Sequence, residues 1–138
     1  MAQKIREIMT ADPATASPQT TLAEVARLMR DRDIGDVLVV DGDELRGMVT
    51  DRDLVVRALA ENSGGDIPVR EVCSETLVTT APDDDVSHAV RLMREHSVRR
   101  LPVVDHGHPV GVVSIGDLAV ERDPGSALAD ISADDPNR

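Results

Sequence analysis

The chain has 138 residues, a net charge of −11, 30% charged residues and no Phe, Trp or Tyr. That acidity excludes the basic stripe on which nucleic-acid binding rests, and no apolar run approaches the roughly 18 residues of a membrane span. Cys73 is the only cysteine and Met1-Ala2-Gln3-Lys4 leads into a mixed polar segment, so the chain reads as a cytoplasmic protein with no internal disulfide.

In chain order, Lys4-Ile5-Arg6-Glu7-Ile8-Met9 predicts a turn or so of helix, and Ala14-Thr15-Ala16 a short extended stretch ended by Pro18. Leu22, Val25, Ala26 and Met29 fall at i, i+3, i+4 and i+7, the stripe of an amphipathic helix, with Thr21 to Glu24 as a capping box. The methionine is then a core residue at helical spacing. Val37 to Val40 and Leu45 to Thr50 predict a hairpin turning at Asp41-Gly42, and the unbroken apolar runs suggest strands covered on both faces. A second helix follows over Asp51 to Ala60.

The same elements then recur at a fixed offset of 64, Pro18 to Pro82 and Asp53 to Asp117. Val69 to Cys73 repeats the first turn, and Val78-Thr79-Thr80 the extended stretch. Val86, Ala89, Val90 and Met93 repeat the helix, capped by Asp84 or Asp85. Leu101 to Val104 and Val110 to Ser114 repeat the hairpin around Asp105-His106-Gly107, and Ile115 to about Glu121 the closing helix. Cys73 stands where the first copy has Met9, an apolar filler rather than a redox thiol. The division is 1–64, 65–122 and a tail, 123–138, in which Leu128 and Ile131 fall on one more helical turn before a frayed end. Two copies are too few for a solenoid. Folded on each other they make a pseudo-two-fold α/β (α+β) unit with two related clefts, where function is expected.

Chemistry concentrates at Thr50-Asp51-Arg52-Asp53 and Ser114-Ile115-Gly116-Asp117, each following Gly and an apolar strand. A hydroxyl and free N–H groups at a helix start suit phosphate. A carboxylate one turn on accepts hydrogen bonds from paired hydroxyls such as a ribose diol. Phosphate plus diol is a nucleotide. Hydroxyl-x-x-acid is also a common helix cap, and a single copy would favour that plainer role. Two copies in register shift the balance toward a ligand.

With Arg6-Glu7-Ile8-Met9-Thr10, Leu92-Met93-Arg94-Glu95-His96 and Arg100-Leu101-Pro102-Val103-Val104-Asp105, these corners resemble a tandem pair of cystathionine-β-synthase (CBS) domains, the Bateman module. The likeness spans nearly the whole chain outside the tail, with Leu38 standing where the family prefers the proline found at Pro102. It implies two β-α-β-β-α repeats packed through their sheets, usually in a homodimer. It also implies an adenosine derivative (AMP, ADP, ATP or S-adenosylmethionine) as a regulatory ligand and no catalytic cofactor. One ligand set would join Thr50, Arg52 and Asp53 to Thr79, Thr80, Val98 and Arg99, with Arg100 nearby; the other would join Ser114 and Asp117 to Thr15, Ala16, Ile34 and Gly35. Arg52 favours phosphate in the first set. In the second, Asp36 replaces Arg100, so that site is expected to be weaker, empty or filled by a less charged ligand.

No nucleophile elbow, P-loop or metalloprotease helix appears, which argues against an enzyme. His106-Gly107-His108 falls short of a closed zinc set, and Asp31, Asp33 and Asp36 lack the glycine and terminal glutamate of a calcium loop, so no metal is expected. The reading is a ligand-sensing module that signals to a protein partner in trans. Its rival is a dimeric scaffold with degenerate clefts.

Overall fold

A computed structural model describes residues 3–75 and 78–122, a mixed α+β chain with two three-stranded sheets. The expected tail helix with Leu128 and Ile131, and the frayed end, lie outside the described residues. None of the helices is long and apolar enough to cross a membrane among the residues described.

The chain divides into two compact units whose limits are offset from the sequence repeats. One contains residues 14–75; the other joins residues 3–13 to residues 78–122. The opening segment of each repeat therefore folds with the other repeat's hairpin.

The first strand of the chain, β1 (Thr10–Ala11), belongs to the other unit; the 14–75 unit begins with β2 (Thr15–Ala16), parallel to β3 (Asp36–Asp41) with Thr15 opposite Leu38. β3 runs antiparallel to β4 (Glu44–Thr50). The turn is one residue later than the sequence suggested: Asp41 pairs with Glu44, so Gly42-Asp43 forms the two-residue loop, with Gly42 at φ 64°. Helix α1 (Leu22–Arg32) buries Leu22, Val25 and Met29 of the predicted stripe against Val37, Val39, Val49, Val69 and Val72, whereas Ala26, its fourth member, is exposed. Thr21 caps it by accepting from the Glu24 N–H at 3.3 Å. The docked segment Val69–Ser74 bonds through Val69 N–H to Thr20 O, Arg70 N–H to Pro18 O, and a two-way bridge between Met48 and Ser74. Cys73 is buried at 6% exposure, the apolar filler expected, and burial pushes its thiol pKa up.

The closing helix of this unit departs from expectation. A single turn, α2 (Asp51–Asp53), passes into π-helical Leu54–Ala58 and 3₁₀ Leu59–Glu61, ending at Asn62 with φ 61°. Adjacent β-branched Val55 and Val56 are poor helix formers. Val55, Val56 and Leu59 are all exposed.

The other unit repeats the plan. β1 (Thr10–Ala11) runs antiparallel to β6 (His108–Ser114), which pairs with β5 (Arg100–Asp105); Thr80 forms a parallel bridge to Val103. The β5–β6 loop, His106-Gly107, has positive φ at both residues, as a type I′ turn needs. Helix α3 (Val86–His96) packs Val86, Ala89 and Met93 on Leu101, Val103, Val113 and Ile5. Its N-cap, Asp85, makes no side-chain cap and instead pairs with Lys4 at 3.0 Å. Asp84 turns back to the Ala81 N–H and Thr80 hydroxyl, both 2.9 Å. Helix α4 (Ile115–Arg122) closes the unit as expected. In β3, Val37, Leu38 and Val39 are consecutively buried, as are Leu101, Pro102 and Val103 in β5, so both strands are covered on both faces.

Candidate functional site

Both strand-to-helix corners are built alike. β4 ends at Thr50, whose hydroxyl accepts the Asp53 N–H at 3.2 Å while Asp53 Oδ2 accepts the Thr50 N–H at 2.9 Å. β6 ends at Ser114, whose hydroxyl accepts the Asp117 N–H at 3.2 Å while Asp117 Oδ2 accepts the Ser114 N–H at 2.8 Å. Each is a closed capping box, so the plainer role is real: these residues start their helices. The cap draws on one carboxylate oxygen. A carboxylate offers about four acceptor positions, so the second oxygen keeps the capacity to take a diol.

The ends of α1 and α3 set what lies beside the corners. Both helices stop at a left-handed non-glycine residue, Asp33 at φ 57° and Ser97 at φ 54°. The chain then turns at once into the next strand. This brings the Gly35 carbonyl to the Asp51 N–H at 3.0 Å, and the Arg99 carbonyl to the Ile115 N–H at 2.8 Å.

The structure places Thr50, Arg52, Asp53, Thr15, Ala16, Ile34 and Gly35 in the 14–75 unit, and Thr79, Thr80, Val98, Arg99, Arg100, Ser114 and Asp117 in the other. Each expected ligand set draws on both units. Within the first unit, Ile34 and Gly35 adjoin the corner, Asp36 stands opposite Thr50, and Thr15-Ala16 lie one strand beyond on β2. Within the second, Arg100 stands opposite Ser114, and Thr80 lies one strand beyond, beside Val103. Arg52, Thr15, Thr79 and Arg99 are exposed; Thr80 is buried at 4%.

Burial raises the Asp117 pKa above the ordinary carboxylate value, partly offset by the Ser114 N–H and hydroxyl. Asp84 is held low, chiefly by the Ala81 N–H, with the Thr80 hydroxyl, His88 and Lys4 adding to it against a desolvation cost. Sequence reasoning placed Asp84 only as a possible helix cap and missed its bond to Thr80. Spacing of four residues across a proline carries no such signal. His106 pairs with Asp105 at 2.9 Å and is 91% exposed, a solvated turn.

Comparison with known proteins identifies the family and the fold. The CBS-domain family profile matches twice, at residues 5–59 and 69–122. CBS domain-containing protein YhcV of Bacillus subtilis is 42% identical over 132 residues, 93% of this chain and 94% of that one. The crystal structure of a conserved protein from Pyrococcus horikoshii superposes with a TM-score of 0.81 at 27% identity, covering 89% of this chain and 94% of that one. The CBS domain pair of protein MJ0100, solved with 5′-methylthioadenosine and S-adenosyl-L-methionine, gives 0.79 at 25% identity, covering 87% and 99%. With the repeat, its two hairpins and its paired corners all accounted for, this chain belongs to the CBS-domain family and is a tandem CBS pair.

Proposed function

We propose that the protein is a regulatory module binding an adenosine derivative at its two corners and passing its state to a protein partner. Asp53 and Asp117 take the ribose hydroxyls, and the Thr50 and Ser114 hydroxyls, which accept within their caps and can still donate, lie toward phosphate. The observation that carries this reading is the duplication of one corner, bond for bond, with a carboxylate oxygen to spare in each. The bound ligands of MJ0100 supply the adenosyl class. Arg52 beside Asp53, against Gly116 at the same place beside Asp117, assigns the more phosphorylated ligand to the Asp53 corner.

Calorimetric titration with AMP, ADP, ATP, S-adenosylmethionine and methylthioadenosine tests it. Asp53→Asn keeps an oxygen for the Thr50 N–H but loses the charge, so binding of the phosphorylated ligand should fall at least tenfold with little change in stability. Asp53→Ala also removes a cap and should cost a further ~1 kcal/mol of stability. The scaffold reading draws on the caps being complete without a ligand. It gains if protein free of carried-over nucleotide, judged by absorbance near 260 nm in a chain without Trp or Tyr, binds none of the five.

A further inference from the structure

The segment Gln3–Ala11 forms an arm, a single turn bonded within itself and docked on residues far along the chain. Ile5 N–H bonds to Asp84 O and Arg6 N–H to Pro82 O, both at 3.0 Å, and Val86 N–H returns to Gln3 O at 2.9 Å. Lys4 pairs with Asp85 and Arg6 with Asp83. Ile5 is fully buried, with Ile8 and Met9 packed on the same core. β1 then adds to β6, Thr10 opposite Val112 and Ala11 opposite Gly111. The receiving surface is shaped for the arm. Gly111 has no side chain where a Cβ would sit 2.7 Å from Met9 Sδ and 2.8 Å from Thr10 O.

The arm is joined to the other unit by two residues only. β1 ends at Ala11, and Ala14 is already buried in the 14–75 core, its carbonyl accepting the Leu38 N–H at 2.9 Å. Between them stand Asp12 and Pro13. Asp12 has φ 53°, left-handed, and precedes a proline, which disfavours helical backbone in the residue before it. A short connection under strain is the condition that favours exchange of an element between identical chains.

We propose that the chain exchanges this arm with a second copy of itself, each arm filling the other's slot. The bonds and ion pairs named above are all reproduced in the exchanged pair, because each joins residues 3–11 to the slot. What changes is the hinge: Asp12 takes the extended backbone natural before proline. The closed form holds its advantage through the high local concentration of a tethered arm. Exchange therefore grows with protein concentration and lies behind a slow opening of the arm.

Lys4 and Asp85, bridge partners across the slot, give the test. Full-length Lys4→Cys chains and tagged Asp85→Cys chains are unfolded, mixed, refolded over a range of concentrations and oxidised. Each variant alone gives the background from buried Cys73. A disulfide joining tagged to untagged chains, increasing with concentration, is expected. Asp12→Gly, which accepts positive φ freely, should lower its yield roughly five- to thirty-fold per hinge. Pro13→Ala, which keeps the Asp12 side chain, should lower it too. The proposal is overturned if the Lys4→Cys/Asp85→Cys double variant closes within one chain while the mixture yields no cross-chain disulfide at any concentration.

Discussion

Gly47 and Gly111 show how one missing side chain sets a whole edge of each sheet. A Cβ at Gly47 would meet Ser74 O at 2.7 Å and Cys73 Sγ at 2.9 Å, as one at Gly111 would meet Thr10 O and Met9 Sδ. A carbonyl fixed by its own bonding has little room to give. Gly47→Ala and Gly111→Ala should each destabilise the fold by about 1–3 kcal/mol, read as a lower urea midpoint by circular dichroism. The sequence aligned Met9 with Cys73, but not the contact each makes with its glycine, since spacing says nothing of which copy a segment packs on. Two carboxylates divide in their response to acid. Asp84 is held low, so its contribution is present above the ordinary aspartate range and lost as pH falls through its folded pKa. Asp84→Asn should flatten the acid limb of the melting temperature below about pH 5. Asp117 is raised, so the stability linked to it is present at low pH and lost as pH rises through its folded pKa. Asp117→Asn should thus raise the melting temperature at neutral pH while removing ligand from that corner, a stability gain tied to a functional loss.

Among the elements, α1 and α3 were the most legible, because a 3.6-residue stripe on 11 residues reports burial directly. The hairpins were legible too, apart from the one-residue shift at Gly42, since Asp-Gly and Gly-Asp are both competent loops. The closing helix of the first copy was not. Its hydrophobic residues Val55, Val56 and Leu59 face outward, at 55%, 45% and 70% exposure, and apolar residues that stay exposed give a sequence pattern indistinguishable from core. Exposed apolar side chains set close together are what a contact with a second chain would cover. Val55→Asp/Leu59→Asp should shift the protein toward monomer by light scattering after gel filtration, with its melting transition otherwise intact.

On the scale of the whole molecule, a charge of −11 opposes the approach of any nucleotide carrying several negative charges. Raising ionic strength from about 0.01 to 0.15 M shortens the screening length from roughly 30 to 8 Å. Association of ATP, followed by stopped-flow calorimetry or a labelled analogue, should therefore quicken with salt, whereas that of S-adenosylmethionine, a net cation, should not. The assignment of residues 3–13 to the later hairpin has a different reach: it governs the order of assembly during synthesis. Residues 14–75 contain all the described parts of one unit and leave the ribosome before the other unit's hairpin does. The arm ahead of them is made earlier still, yet its slot at residues 82–86 and 111–112 is translated only after them. At about 5–20 residues per second the arm waits for several seconds with Ile5, Ile8 and an unpaired strand exposed. On a polysome, where nascent copies stand close together, that interval is when a neighbour's slot competes with its own.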